Sequence, residues 1–185
     1  MPPMGETIEI RVPVPGLVVL VGAAGSGKST FAARHFRPDE VLSSDAFRAL
    51  IAGDPADQAA TRPAFAALHR ELRRRLAGRR LGVVDATNVS GRARTALLRE
   101  ARLAGVPAVA IVLDLPPDTV LARNRARPGQ AAVPEGAVQE QLVALARSLA
   151  EGRRFDEGFA QTWRLRTPAD VEAVRVVGVD ASPAP

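Results

Sequence analysis

The chain has no cysteine and no tyrosine, a single tryptophan, two histidines and, among 25 basic residues, a single lysine. Without cysteine there is no disulfide framework and no thiolate metal site, which suits a reducing compartment and a cytoplasmic location. His35 and His69 have no histidine-rich ligand set around them, so both are expected to be structural. Aromatics make up only 4% of the residues, which leaves few stacking platforms, and Trp163 reads as a residue packing a core strand. Long apolar runs are also missing. The longest, Leu17 to Ala24, is broken by Gly22 and falls far short of the ~20 residues a membrane helix needs. Met1-Pro2-Pro3-Met4-Gly5-Glu6 lacks the basic start and apolar core of a signal peptide. A soluble, untargeted chain with no membrane partner is expected.

What is present bounds the architecture. With 185 residues, 46% of them hydrophobic, the chain is long enough for a single domain with a real core, expected over residues 1–180 and followed by a disordered tail at 181–185. A net charge of +5 and a pI near 11.2 invite a polyanionic partner. Arginine and alanine enrichment is equally a mark of a GC-rich genome, so only arginines at motif positions carry weight.

The one lysine, Lys28, closes the run Gly22-Ala23-Ala24-Gly25-Ser26-Gly27-Lys28-Ser29-Thr30. An ammonium is a compact point charge on a thin stem that lies alongside a glycine-rich loop, where a wide guanidinium would seek a bidentate partner. The spacing is that of the phosphate loop G-x-x-x-x-G-K-[ST]. In it backbone N–H groups cradle phosphates, the lysine reaches the β and γ groups, and the hydroxyl ligates magnesium. Leu17-Val18-Val19-Leu20-Val21 before it reads as a buried strand, and Ser29 to Phe36 as the helix after it, whose N-terminus adds positive partial charge. Nucleotide binding follows from strand, loop and helix in that order.

Strand and helix signals then alternate, as a mostly parallel sheet flanked by helices requires. Ile8–Val12 reads as a leading strand, 41–45 as a second strand after the loop strand, 81–85 as a third, 108–113 as a fourth, 162–165 and 174–177 as the last two. Helices are expected at 46–51, 62–77, 92–104, 116–126, 135–150 and 168–173, with a loop at 53–57. In 62–77 the apolar residues Phe65, Leu68, Leu72 and Leu76 recur at helical spacing.

Ligands of an open parallel sheet gather at the carboxyl ends of its strands. Asp85, after Val83-Val84, stands where a carboxylate holds magnesium or its waters beside the loop serine Ser29. Asp114, before Leu115-Pro116-Pro117, reads as a turn or cap residue. Asp45 ends the second strand, with Arg48 one helical turn on. A carboxylate there can take the proton of an attacking hydroxyl with Arg48 orienting it, or it can simply cap a helix, and spacing alone leaves both readings open.

The residues Gly25 to Ala32, then Ser43-Ser44-Asp45 with Arg48, Val84-Asp85-Ala86-Thr87-Asn88-Val89 with Arg94, and Leu115-Pro116 followed by Arg123-Asn124 and Arg127, together resemble the polynucleotide 5′-kinase module of bacterial RNA-repair and bacteriophage end-healing enzymes. The resemblance runs from about Ile10 to the last strand. It implies a P-loop kinase fold with an arginine-bearing lid, which transfers the γ-phosphoryl of ATP, with Mg2+, to a 5′-hydroxyl end of RNA or DNA. It implies that Asp45 is the general base and that Arg48 binds the acceptor end. Lys28 and Ser29 would contact ATP and magnesium, and Arg123 and Arg127 would clamp the nucleotide phosphates. Partner phosphatase and ligase modules are implied as well, and this chain has no room for them.

The lid roles agree with elementary chemistry. Arg123, Arg125 and Arg127 surround a helix end, and Pro128-Gly129-Gln130 is a candidate hinge for a flap that excludes water. A guanidinium brought to the transferring phosphoryl stabilises charge spread over its oxygens. Where close bacterial relatives carry a further lid arginine, this chain has Gln130. The arginines at 70, 73, 74, 75, 79 and 80 read first as a solvated helix face and second as a track for a nucleic-acid backbone. Two other functions stay open: a small-molecule kinase of the same fold acting on a sugar acid, nucleoside or antibiotic hydroxyl, and a non-catalytic nucleotide-binding module.

Overall fold

The computed structural model describes residues 7–52, 61–128, 132–150 and 157–181. Seven strands, β1 (Ile8–Val14), β2 (Leu17–Val21), β3 (Val41–Ser43), β4 (Gly82–Asp85), β5 (Ala108–Leu113), β6 (Gln161–Leu165) and β7 (Val174–Asp180), alternate with helices in this part of the chain. The helices are α1 (Lys28–His35), α2 (Ser44–Ala52), α3 (Thr61–Ala77), α4 (Gly91–Leu103), α5 (Pro117–Arg125), α6 (Glu135–Leu149) and α7 (Pro168–Ala173).

Five strands form one all-parallel sheet in the order β3-β4-β2-β5-β6, with β2 at its centre. Every residue of β2 is 0% exposed, because helices cover both sides of the sheet. Alternate residues feed two cores. Leu17, Val19 and Val21 join Val84, Val112 and the α3 residues Leu68, Leu72 and Leu76 on one face. Val18 and Leu20 join Val83, Ile111 and Phe31 on the other. Each such side chain contributes about 1.5–3 kcal/mol by leaving water. This is the α/β class expected, with the strand ends aligned at one edge: Leu20 pairs with Asp85, and Ser43 pairs with Asp85 from the other side.

Two expectations about the sheet are corrected. The leading and last strands do not extend it: β1 and β7 pair with each other, in parallel, as a separate two-stranded sheet. In keeping with this, β1 and β7 each keep exposed residues, whereas β2 and β5 at the middle of the main sheet have none. Ile10 and Val12 still reach the second core, so the ribbon lies over it. The second strand is also shorter than expected. It stops at Ser43, whose hydroxyl accepts from the Ala46 N–H at 3.4 Å, so the helix starts at Ser44 and Asp45 lies in its first turn instead of at a strand end.

Two side chains expected elsewhere also move, while Trp163 packs on the core as expected. Asp114 makes an ion pair with Arg164 at 2.6 Å and is no simple cap. Arg75 is buried and donates to the Leu81 carbonyl at 3.0 Å, so it leaves the solvated face assigned to it. Trp163 packs against the second core from the edge strand β6 and is only half-buried. The Ala181 N–H donates to the Val14 carbonyl at 3.1 Å, which ties the first residue of the expected tail to β1. The rest of that tail, the loop at 53–57, and Gly129 and Gln130 of the expected hinge lie outside the described residues. No described helix is long and apolar enough to cross a membrane.

Candidate active site

The loop between β2 and α1 is shaped by its glycines. Gly25 and Gly27 have φ of +89° and +94°, a left-handed backbone that side chains rarely adopt. A Cβ on Gly25 would stand 2.4 Å from the Val120 carbonyl, so only glycine lets α5 approach the loop. Gly22 abuts Ser26 and the Leu113 carbonyl in the same way. Gly27 caps α1 without a side-chain acceptor, which leaves the first N–H groups of the helix free for an anion. Gln141 of α6 accepts from the Ala24 N–H at 2.8 Å and steadies the other side of the loop.

Lys28 is 8% exposed and curls back over the loop, donating to the Ala23 carbonyl at 2.9 Å. Burial lowers its pKa to about 8, against the opposing pull of Asp85. The Arg127 cation lowers it a little further and Asp45 raises it, so four of the expected residues share one electrostatic neighbourhood. Asp85, 5% exposed at the end of β4, accepts a hydrogen bond from Ser29. Its carboxyl is raised above the usual range by burial, while Ser29 and Lys28 pull it down.

Asp45 and Arg48 form an ion pair within α2. The Asp45 side chain is 60% exposed, whereas that of Arg48 is 21% exposed. Asp45 is therefore far more open to solvent than Lys28 or Asp85.

A cavity of about 400 Å³ opens beside the loop. Gly25, Ser26, Gly27 and Thr30 form one wall, Arg123 and Arg127 another. Its remaining wall was not anticipated: Phe31, Arg34 and His35 from α1, and Pro168, Val171 and Glu172 from α7. Proximity of α1 to the loop was a usable signal for the first three, since i+4 spacing places His35 over Phe31, with ring centroids 4.4 Å apart. Nothing local in 168–172 pointed to the site. The site also holds residues that sequence reasoning passed over as supports. Buried Asn124 donates to the Val133 carbonyl at 2.7 Å and accepts from its N–H at 3.1 Å, and Arg125 pairs with Glu135 at 2.9 Å. Both contacts pin the two ends of the segment expected to be the lid. Arg125 is thereby committed to Glu135, while Arg123 and Arg127 line the cavity. Arg94 is turned away from the cleft, 1% exposed and bonded to Glu157 at 2.6 Å and to the Asn88 and Val89 carbonyls at 2.9 Å.

The donor set also fits a hard divalent cation. Ser29 and Asp85 offer two oxygens, which suits magnesium, an ion that keeps waters and substrate phosphates as its other ligands. Among the described residues no cluster of three or more acidic, histidine or cysteine side chains competes for it.

A family model described as an AAA domain matches residues 17–151, from the first residue of β2 to just past α6. The chain belongs to this AAA domain family. Within it the domain has the fold of a P-loop kinase, as similar solved structures show. One is a chain from the Pnkp1/Rnl/Hen1 RNA repair complex, 26% identical, with a TM-score of 0.64, covering 75% of this chain and 46% of that one. The AAA domain chain thus spans about half the length of that relative. A gluconokinase from Sinorhizobium meliloti 1021 is 22% identical over 88% of this chain and 90% of its own, with a TM-score of 0.53. Kti12 from Chaetomium thermophilum, solved with ADP-AlF3, is 17% identical over 84% of this chain and 93% of its own, with a TM-score of 0.60. No curated protein matches the sequence. The fold is common to these structures, one from an RNA repair complex and one named a gluconokinase.

Proposed function

We propose that this AAA domain is an ATP-dependent polynucleotide kinase that phosphorylates 5′-hydroxyl ends of RNA or DNA. One observation carries the choice of acceptor. Asp45 lies within electrostatic reach of Lys28 and Asp85, yet most of its side chain is open to solvent. The cavity is lined by the phosphate loop, α1, α7, Arg123 and Arg127 and does not include Asp45. Small molecules are usually engulfed by the pocket that positions them, whereas the end of a long strand needs only an open base beside the donor phosphate. Likeness to a chain of an RNA repair complex supports the same acceptor.

The residues divide the work. Gly22, Gly25, Ser26, Gly27 and Thr30 shape the donor cradle, with Lys28 beside the β and γ phosphates. Ser29 and Asp85 would hold magnesium, which when bound would neutralise phosphate charge. Arg123 and Arg127 reach the donor from the cavity wall. Asp45 takes the proton of the incoming 5′-hydroxyl, and Arg48 fixes the carboxylate through their ion pair and touches the acceptor end. Charge builds on the transferring group between Lys28 and the arginines, whose fixed positions need little reorganisation.

The test is acceptor competition. Incubation with magnesium, γ-labelled ATP, a 5′-hydroxyl oligonucleotide and a panel of sugar acids, nucleosides and other small alcohols is expected to label the oligonucleotide end. Label found only on a small molecule overturns the proposal, and ATP binding without transfer to any acceptor makes the domain a nucleotide-binding module.

A further inference from the structure

The charge of the molecule is unevenly spread. Helices α3 and α4 together carry nine arginines, at 62, 70, 73, 74, 75, 92, 94, 99 and 102, against two acids, Glu71 and Glu100. Helices α6 and α7 carry the reverse, one arginine, Arg147, against Glu135, Glu140, Asp170 and Glu172. A genome-wide taste for arginine enriches all surfaces alike and does not produce this contrast.

Both acids of the basic face are already engaged. Glu71 pairs with Arg74 at 2.8 Å, and Glu100 lies 3.4 Å from His69 and 3.6 Å from Arg73. Arg75 and Arg94 are buried and bonded, and Arg102 donates to the Glu157 carbonyl at 2.6 Å. Arg62, Arg70, Arg92 and Arg99 remain exposed, with no acidic partner among the described residues.

Those four are on the exposed surface of two helices that pack against each other. His69 and Arg73 reach across to Glu100, so this side of α3 faces α4, and Arg62 occupies the same stripe seven residues before His69. Arg92 and Arg99 are likewise seven apart, beside Glu100 on α4. The direction of the stripe is set by the sheet. Helix α4 follows the edge where β4 ends in Asp85, and the 17 residues of α3 run back to the start of β4, which puts the first turn of α3 at the same edge. Arg62 and Arg92 therefore stand at the edge that holds Asp45, and Arg70 and Arg99 lie further along. From 62 to 73 the stripe extends about 16 Å.

On the strength of the polynucleotide reading, we infer that the α3–α4 face is the path of the acceptor strand behind its 5′ end, with Arg62, Arg92, Arg70 and Arg99 contacting successive phosphates. Guanidinium contacts of this kind bind the backbone without reading sequence and release counterions, so they act on long acceptors and fade with salt. The scarcity of aromatic residues agrees with a grip made through phosphates instead of stacked bases.

The test compares a 5′-hydroxyl 20-mer with a 5′-hydroxyl dinucleotide as acceptors, in the wild type and in the variant Arg62→Gln/Arg70→Gln/Arg92→Gln/Arg99→Gln. Far-ultraviolet circular dichroism and ATP affinity serve as checks of folding. In the wild type the 20-mer is expected to have the lower KM. The variant is expected to raise that KM at least about tenfold at low salt and to flatten its salt dependence by about 0.7 in log–log slope for each phosphate it no longer neutralises. Its dinucleotide KM and its kcat should stay within about twofold. A control, Arg11→Gln/Arg147→Gln/Arg175→Gln, removes similar charge elsewhere and should leave the 20-mer KM unchanged. Equal wild-type KM values for the two acceptors, or a quadruple variant that behaves as the wild type, overturn the path while leaving the kinase reading intact. Equal losses in the quadruple variant and the control also overturn it, because net charge then accounts for the effect. A wild type that labels neither acceptor removes the polynucleotide reading and the path with it.

Discussion

On the proposed reading, the donor and acceptor sides of the cleft are built in opposite ways. On the donor side Lys28 and Asp85 are 8% and 5% exposed, and their positions follow from a buried strand, a loop of left-handed glycines and the end of a neighbouring strand. On the acceptor side Asp45 is 60% exposed and is held by one ion pair on the surface of α2. Backbone and strand ends hold the donor machinery, a geometry many kinases share. On the proposed reading a pair of side chains defines the acceptor, and side chains are readily exchanged between relatives. The similar structures share this fold, although one comes from an RNA repair complex and another is named a gluconokinase.

If that contrast is right, the donor side tolerates almost no change of shape even at constant charge. Lys28→Arg is expected to reduce phosphoryl transfer by about 10²–10³-fold, a loss of the size seen when one transition-state donor is removed. The guanidinium is too broad for the loop and cannot repeat the Lys28 bond to the Ala23 carbonyl without moving the backbone. Initial rates with saturating ATP, together with a thermal melt, check it. A folded variant that keeps more than a tenth of the activity would mean that charge alone suffices.

The acceptor side should instead lose chemistry without losing the nucleotide. Asp45→Asn is expected to lower kcat about a hundredfold, the lower range for a general base, and to leave the ATP dissociation constant within about threefold. Single-turnover transfer and equilibrium nucleotide binding separate the two quantities. Should ATP affinity collapse along with kcat, Asp45 would belong to the donor pole and the division would fail.

Gly25→Ala tests the loop through stability. The left-handed backbone costs an ordinary residue about 1–3 kcal/mol, and the new Cβ meets the Val120 carbonyl. For a domain of this size that is a drop in Tm of roughly 3–10 °C, measured by calorimetry. An unchanged Tm would show that α5 yields and that the loop is less tightly held than the geometry implies.

How much of this was legible in the residues follows the same division. The loop, its strand and Asp85 were readable because their signals are local: an apolar β-branched run, fixed glycine spacing and a carboxylate after two valines. Leu68, Leu72 and Leu76 were readable from helical period alone, and each is 0% exposed. What escaped depends on distant partners. Pro168, Val171 and Glu172 complete the cavity only because β6 carries the chain back beside the loop. Arg75 looked like its exposed neighbours until the Leu81 carbonyl was found beside it. The β1–β7 ribbon was misplaced because a strand pattern states that a strand forms, not which strand it pairs with. At Asp45 a single hydroxyl, Ser43, moved the start of a helix by two residues and turned a strand end into a first turn.

The smallest expected effect concerns the far wall of the donor cavity. Burial holds the His35 pKa below its ordinary value, and the Arg34 charge pushes in the same direction. The unfolded chain therefore takes up a proton near pH 6.5 before the folded one does, and stability rises with pH across that interval. His35 contributes fully above about pH 6.5, and its contribution is lost as pH falls from there through the lowered folded value. Because the ring is partly exposed, solvent screening keeps the effect small. His35→Phe preserves the stack on Phe31 and removes a buried Nε2 that has no hydrogen-bond partner. The variant should therefore melt no lower than the wild type at pH 7.5. Its fall in Tm between pH 7.5 and pH 5.5 should be shallower by about 1–2 °C. Identical slopes for the two proteins would show that this wall is open enough for the imidazole to titrate as it does in water, and the donor side would then be less enclosed at its outer rim than at Lys28.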